Sequence, residues 1–391
     1  MARRTPRRRA TAVAATDSYA GGDGRLSPLS TPSATRAVLE AHGIGTKYTL
    51  GQNFLVNDDV LKKIIALAEV GENDRVLEVG PGIGTLTIAL LKHAASVIAI
   101  ERDPDLPAVL ADTLHPWREK FALIEKDALD VTRDDIVAAM VEIGGDTGYP
   151  DRASSAANET AQWAVSQSED CLSESGYPVA PPQEDLQLSL PSKLVANLPY
   201  AVAATVVLDY FENFPFLDSA TIMVQKEVAD RMAAAVGTKN YGAYTVKLGL
   251  YAEPVGRFAV GPGNFFPPPR VDSAVIRLNR RVPLMADGAP ASPEVIAAAA
   301  LMADAAFTNR RKTIANSCKT YFSGRGPISL GAGPSAQEGA PGIVLPDDAA
   351  IAERLAAIFD AATIDPRRRG ETLTQQEFLA LGAALLKVTA A

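Results

Sequence analysis

The stretch Arg75-Val-Leu-Glu78-Val-Gly80-Pro-Gly82-Ile-Gly84-Thr-Leu-Thr-Ile-Ala-Leu-Leu91 decides the fold. Arg75 to Val79 is a short apolar and β-branched run that reads as a strand, and Thr85 to His93 has helical character. Ser96-Val-Ile-Ala-Ile100 is a second strand, so the order is strand, helix, strand, a parallel βαβ unit. Between the first strand and the helix, glycines let the backbone approach a ligand closely. The helix N-terminus adds unpaired N–H groups and positive potential. A dinucleotide site is the obvious rival, but its fingerprint is G-x-G-x-x-G, whereas Gly80, Gly82 and Gly84 run G-x-G-x-G. The shorter spacing favours S-adenosylmethionine.

Acids at the ends of the next strands extend the site. Glu101 ends the second strand and can accept hydrogen bonds from both hydroxyls of a ribose, a feature that dinucleotide and adenosylmethionine sites share. A third strand is expected at Phe121 to Glu125, and Asp127 just after it can accept from the cofactor's adenine amino group. Each acid alone is the residue of a helix cap or a solvated loop. At successive strand ends they point to a ligand, because open α/β sheets bind ligands there.

The most specific signal is Asn197-Leu198-Pro199-Tyr200, after a fourth strand at Lys193 to Ala196. An exocyclic adenine amine is a poor nucleophile because its lone pair is delocalised into the ring. An acceptor pair must hold the two amino hydrogens and turn the lone pair toward the methyl donor, and the Asn197 side-chain oxygen with the Leu198 carbonyl can do so. Pro199 fixes the turn without needing an N–H partner, and Tyr200 can stack on the base. The plain alternative is a strand-terminating turn with an aromatic cap. No general base is required, since the methylated nitrogen carries positive charge and loses its proton to water.

Residues 1–46 are rich in Arg, Ser, Thr, Pro and Gly and read as a disordered basic arm. The ordered domain is expected from Lys47, with a helix over Val60 to Ala68 that starts at Asn57 and Asp58. A helix near Ala203 to Phe211, a strand at Ala220 to Val224 and a hairpin-like region to Leu278 complete a domain spanning residues 47–282. An insertion at about 142–192 is too polar to fill a core layer and reads as a surface loop. Residues 283–391 read as a small helical domain, Ala-rich from Pro293 and interrupted by a Gly/Pro-rich loop at about 323–346.

The net charge of −8 argues at first against an RNA partner, because nucleic-acid affinity comes largely from neutralised phosphates. Nine acids and one base, Arg152, lie between Glu142 and Ser192, so the rest of the chain is close to neutral and its bases can cluster on one face. Two cysteines, Cys171 and Cys318, and three histidines show no disulfide framework and no metal spacing, so no metal is expected and a reducing cytoplasm fits. Apolar runs such as Ile88 to Leu91 fall far short of the roughly 20 residues of a membrane span, and none is expected.

Taken together these residues resemble the KsgA family of small-subunit rRNA adenine dimethyltransferases. The likeness also rests on Gly51-Gln52-Asn53-Phe54-Leu55, Gln225-Lys226-Glu227-Val228, Tyr241-Gly242, Phe266-Pro-Pro-Pro-Arg270-Val-Asp-Ser273 and Phe307-Thr-Asn-Arg310-Arg311-Lys312-Thr-Ile314. The resemblance covers most of residues 47–380 outside the two insertions. It implies a Rossmann-like S-adenosylmethionine-dependent methyltransferase domain with a small C-terminal helical domain. It places the cofactor on Asn53, Leu55, Gly80, Gly82, Glu101, Asp127 and Asn197, and the target base on Asn197, Leu198, Pro199 and Tyr200, with Phe265 closing on its second face. It further implies dimethylation of two adjacent adenines in a 3′-terminal hairpin loop of small-subunit rRNA, a role in small-subunit maturation and a pre-30S-type particle as partner. The enzyme would be a cytoplasmic monomer with no metal and no membrane contact. Arg310, Arg311 and Lys312 are expected on rRNA phosphates. Two rivals stay open at this point, and DNA adenine methylation is a weaker third, since its motif usually carries Pro where Leu198 stands. The Erm family methylates large-subunit rRNA with the same site residues, although the ending Ile364-Asp-Pro-Arg-Arg-Arg-Gly-Glu371 is similar to the KsgA one. A ribosome-assembly or transcription factor would use the fold for binding alone.

Overall fold

Alternation along the strands builds the sheet and both of its cores. In the computed structural model, Val76, Val97, Val195 and Met223 pack into one apolar cluster, while Leu77, Ile98, Leu194 and Ile222 pack into another. Successive side chains of a strand point to opposite faces, and a parallel sheet covered on both faces is apolar on both. The structure describes residues 24–45, 53–143, 190–325, 328–329, 342–343 and 348–390.

Parallel strands β2 (Arg75–Val79), β3 (Ser96–Ile100), β4 (Phe121–Ile124), β5 (Lys193–Asn197) and β6 (Ser219–Gln225) join antiparallel β9 (Ser273–Arg280) and β7 (Ala252–Val260) in a seven-stranded sheet. Its order is β4-β3-β2-β5-β6-β9-β7. The chain runs outward from β2 to β4 and then crosses back to β5 on the other side of β2. The switch point therefore lies between β2 and β5, where ligands of open α/β sheets bind outside the carboxyl ends of the strands. A separate two-residue ribbon pairs β1 (Phe54–Leu55) with β8 (Phe265–Phe266), with Leu55 opposite Phe265.

One face of the sheet carries α1 (Pro32–Ala41), α2 (Asp58–Ala68), α3 (Thr85–Leu91) and α4 (Pro107–Thr113). The other carries α5 (Arg133–Glu142) and α6 (Ala203–Asn213). Helix α2 starts as the sequence predicts, with the Asn57 side chain accepting from the N–H groups of Asp59 and Val60.

Residues 24–45 correct the expectation of a structureless arm up to residue 46. Thr31 caps α1 by accepting from Ala34 N–H, and Pro32 stands in its first turn. Leu29, Val38 and Leu39 are buried in the cluster over the sheet. Asp58 Oδ1 accepts from the N–H groups of Leu26 and Ser27, tying the segment to the start of α2. Averaged composition hid a few apolar residues that share one helix face. Residues 1–23, Lys47 with Gly51 and Gln52, and the acidic insertion between 144 and 189 lie outside the described residues.

After β6 come α7 (Lys226–Met232) and α8 (Ala243–Gly249), and after β9 come α9 (Pro293–Phe307), α10 (Ile314–Phe322), α11 (Asp348–Ala361) and α12 (Gln375–Ala390). Within the expected loop at 323–346, Ile328–Ser329 pairs with Gly342–Ile343. The alanines of α9 are explained by close helix packing: a Cβ on Gly382 of α12 would lie 2.6 Å from Ala299 N. The helices share a core with Tyr241 and Val246, whose segment also packs near the sheet. Tyr241 Oη donates to the Leu373 carbonyl at 2.8 Å, fastening the two parts together.

Candidate active site

Four strand ends meet in one open cleft, outside the carboxyl ends of the strands where open α/β sheets bind their ligands. Its walls include Asn53, Leu55, Gly80, Gly82, Glu101, Asp127, Asn197, Leu198, Pro199 and Tyr200. The cofactor residues expected from the sequence are thus brought together, with the Asn-Leu-Pro-Tyr turn beside them.

The floor is the glycine turn. Gly80 and Gly82 have φ of +70° and +61°, a region that side-chain-bearing residues seldom adopt. A Cβ on Gly82 would press to 3.2 Å from the Phe54 ring, and one on Gly80 would stand 3.6 Å from Pro199 Cδ. Glycine takes both backbone conformations without strain, and at Gly82 it also keeps clear of Phe54.

Acids line the β3 and β4 side. Glu101 Oε1 accepts from the N–H groups of Arg102 and Asp103, each at 2.9 Å, which fixes the carboxyl group in its loop. Burial holds its pKa above the ordinary range, opposed by those N–H bonds and by the Gly82 N–H. Asp127 Oδ2 accepts from Arg102 at 2.8 Å and Oδ1 from Leu129 N–H at 3.1 Å. The Arg102 hydrogen bond keeps its pKa below the usual carboxylate range. Both oxygens retain lone pairs for a further donor.

Glu78 is a site residue that the sequence reading passed over. It lines the cleft at 1% exposure, and its Oε2, like Thr85 Oγ1 nearby, is buried with no hydrogen-bond partner. Burial pushes its pKa up to about 8, opposed by the Thr87 hydroxyl and reinforced by the Glu101 charge. The signal was present as a lone acid inside the apolar run Val76 to Val79. Its meaning depended on both faces of the strand being covered. A glycine cradle, a carboxyl pair and orphaned buried oxygens on one wall fit a polar nucleoside-bearing ligand such as S-adenosylmethionine.

The β5 side carries the turn. Asn197 Nδ2 donates to the Asn53 carbonyl at 3.3 Å, which orients the amide and leaves Oδ1 as its acceptor end. Leu198 N–H donates to the Met223 carbonyl at 3.1 Å, so the turn is anchored to β6. Tyr200 is half-buried and its hydroxyl lies 2.6 Å from Ser273 Oγ.

Phe265 is not brought to the cleft wall. It is 4% exposed and packs into the apolar cluster around α2 and α3. Phe266 is half-buried against the same cluster, with the Arg36 guanidinium 5.2 Å from its ring centroid.

The expected phosphate contacts also divide. Arg310 pairs with Glu371 at 2.9 Å and donates to the carbonyls of Tyr241 and Thr238, so its guanidinium fastens the helices to the sheet domain. Arg311 and Lys312 are exposed. Ile314 N–H donates to the Arg368 carbonyl and Ala315 N–H to the Pro366 carbonyl, at 2.7 and 3.2 Å. These bonds bring exposed Arg369, and Arg367 paired with Asp365 at 3.1 Å, beside that turn, a proximity that sequence distance had concealed. Among the described residues no group of His, Cys, Asp or Glu could hold a metal, and no helix is long and apolar enough to cross a membrane.

The profile of the ribosomal RNA adenine dimethylase family matches residues 45–326. The chain is similar to the ribosomal RNA small subunit methyltransferase A of Geobacillus sp., at 32% identity over 92% of this chain and 98% of that one. It is likewise similar to the protein of the same name from Corynebacterium jeikeium, at 32% identity over 91% and 96%. A dimethyladenosine transferase from Plasmodium falciparum superposes with a TM-score of 0.55 at 19% identity, over 86% of this chain and 98% of that one, and shares the fold. With its switch-point cleft, glycine cradle and Asn-Leu-Pro-Tyr turn, the chain belongs to the ribosomal RNA adenine dimethylase family of S-adenosylmethionine-dependent methyltransferases.

Proposed function

We propose that the enzyme acts on small-subunit rRNA within a pre-30S-type particle, dimethylating two adjacent adenines of a 3′-terminal hairpin loop, as a cytoplasmic monomer. The observation that carries the mechanism is the hydrogen bond from Asn197 Nδ2 to the Asn53 carbonyl, because it engages the amide nitrogen and leaves the amide oxygen as the acceptor end. The curated relatives named for the small subunit support the choice of rRNA.

The bound cofactor supplies an electrophilic methyl group. On this reading Asn53, Leu55, Gly80, Gly82, Glu101 and Asp127 hold it, with Glu101 taking the ribose hydroxyls and Asp127 the adenine amino group. The target adenine leaves its stack and lies against Tyr200. Asn197 Oδ1 and the Leu198 carbonyl accept its two amino hydrogens, which aims the nitrogen lone pair at the methyl carbon. Positioning of this kind does most of the catalysis, and the proton of the alkylated nitrogen passes to water. Arg311 and Lys312, joined by Arg367 and Arg369, contact phosphates, so neutralising Arg311 and Lys312 should lower the slope of log affinity against log salt by roughly one to two.

The decisive experiment is to incubate the enzyme and labelled S-adenosylmethionine with under-methylated small subunits and map the label. The expected result is dimethyladenosine at two adjacent positions near the 3′ end. Label only in large-subunit rRNA would overturn the assignment.

A further inference from the structure

The phenol of Tyr200 and the hydroxyl of Ser273 lie 2.6 Å apart across 73 residues of sequence. Ser273 is fully buried and does not itself line the cleft. It is the first residue of β9, in register with Gln225 at the end of β6 and with Val260 at the end of β7. Its backbone is therefore held on both sides by the sheet. Tyr200 stands in the turn after Pro199, where its ring forms part of the cleft wall.

We propose that Ser273 is a positioning residue for methyl transfer: it pins the Tyr200 ring in the plane against which the target adenine stacks. The inference rests on the reading that Tyr200 stacks on the base. A ring attached through two rotatable bonds holds a plane only when its far end is tethered, and here the tether is the hydroxyl that terminates the ring. Burial raises the pKa of the Tyr200 phenol, so it stays protonated at working pH, and the bond forms with either hydroxyl as the donor. Without the bond the ring samples other tilts, the adenine amine leaves the line to the methyl carbon, and turnover falls while the cofactor stays bound. A misplacement of a fraction of an ångström is enough, because near-attack geometry is narrow.

The test is a double-mutant cycle with Tyr200→Phe, Ser273→Ala and the two combined. It is run on under-methylated small subunits at saturating S-adenosylmethionine, with cofactor affinity measured by calorimetry. Each single variant should lower kcat about five- to tenfold with cofactor Kd within twofold of wild type. The double variant should be no worse than about twofold below either single one, since both remove the same bond. Tyr200→Ala serves to separate the two levels of the argument. If Tyr200→Ala turns over at the wild-type rate, the stacking reading itself fails. If Tyr200→Ala is impaired while Tyr200→Phe and Ser273→Ala keep wild-type kcat, or if their effects multiply, stacking stands and the tether is overturned. Should Ser273→Ala fail to fold, Tyr200→Phe alone carries the test, because it keeps the ring and removes only the hydroxyl.

Discussion

The two ends of the parallel strands are both lined with charge, and they treat it in opposite ways. At the amino end of β5 and β6, Lys193 pairs with Asp74 at 2.7 Å and also donates to the Glu69 carbonyl. Arg277 pairs with Glu69 at 2.8 Å and donates to Asn279 and the Leu67 carbonyl. Arg280 donates to the carbonyls of Phe211, Phe214 and Leu217, closing the end of α6. At the carboxyl end, Glu78 Oε2 and Thr85 Oγ1 are buried with no partner, and burial raises the pKa of both Glu78 and Glu101. Unsatisfied buried groups weaken a fold, and these two lie on the cleft wall, where a ligand can complete them. The polar amino end holds the sheet together, and the polar carboxyl end carries the residues that fit a nucleoside.

The strongest way to break this contrast is Asn197→Ala. Losing the acceptor that orients the amine should lower kcat by on the order of a hundredfold, as for a preorganised group acting on the reacting atoms. Binding to the small subunit should stay nearly intact, since it rests on dispersed phosphate contacts. The comparison is made at saturating S-adenosylmethionine, and turnover within about threefold of wild type would remove Asn197 from the mechanism.

Next in size is Glu101→Ala, which removes a charged acceptor for two ribose hydroxyls. A loss of roughly 1.5–3 kcal/mol is expected for hydrogen bonds to a charged group, read by calorimetry as a tenfold or greater rise in cofactor Kd. Unchanged affinity would show the ribose to lie elsewhere.

Glu78→Gln sharpens the contrast through stability. The folded pKa of Glu78, about 8, lies above its ordinary 4.5, so the folded chain keeps a proton that the unfolded chain has lost across that interval. Stability from this group is fully present below about pH 4.5 and declines as pH rises through 8. Cofactor-free Glu78→Gln should therefore melt several degrees above wild type at pH 8, with the gap closing toward pH 4.5. A gap that does not vary with pH would mean that Glu78 is not held neutral by burial.

The smallest effect on activity is expected at the amino end. Lys193→Ala removes the cation paired with Asp74, whose carboxylate keeps the Gly71 N–H, at a cost of about 1–3 kcal/mol or a few degrees in melting temperature. The kcat of the folded variant should remain within twofold of wild type. A large loss of kcat would dissolve the division between the two ends.

How much of this was legible beforehand depended on how far apart the interacting residues stand in the chain. The βαβ order, the glycine turn and the strand-end acids were readable because each follows from a few consecutive residues: hydrophobic period, φ > 0 at glycine, and the rule that open sheets bind ligands at their carboxyl ends. Asn197 to Tyr200 was readable as a strand-end turn at the site for the same reason.

Tertiary structure decided what each side chain faces. Pairing of Leu55 with Phe265 turned that ring into the core, Glu371 claimed Arg310 for structure, and closure of both sheet faces left Glu78 dry. Residues 24–45 found in α2 and the sheet a surface for Leu29, Val38 and Leu39 that their own composition did not announce. Ser273 met Tyr200 only through the register of β9. Local sequence thus determined the chemistry available at each strand end, because propensity and turn geometry act over a few residues. Burial and partnership, which set the charge and aim of those groups, come from segments tens to hundreds of residues away and exist only once the chain has folded.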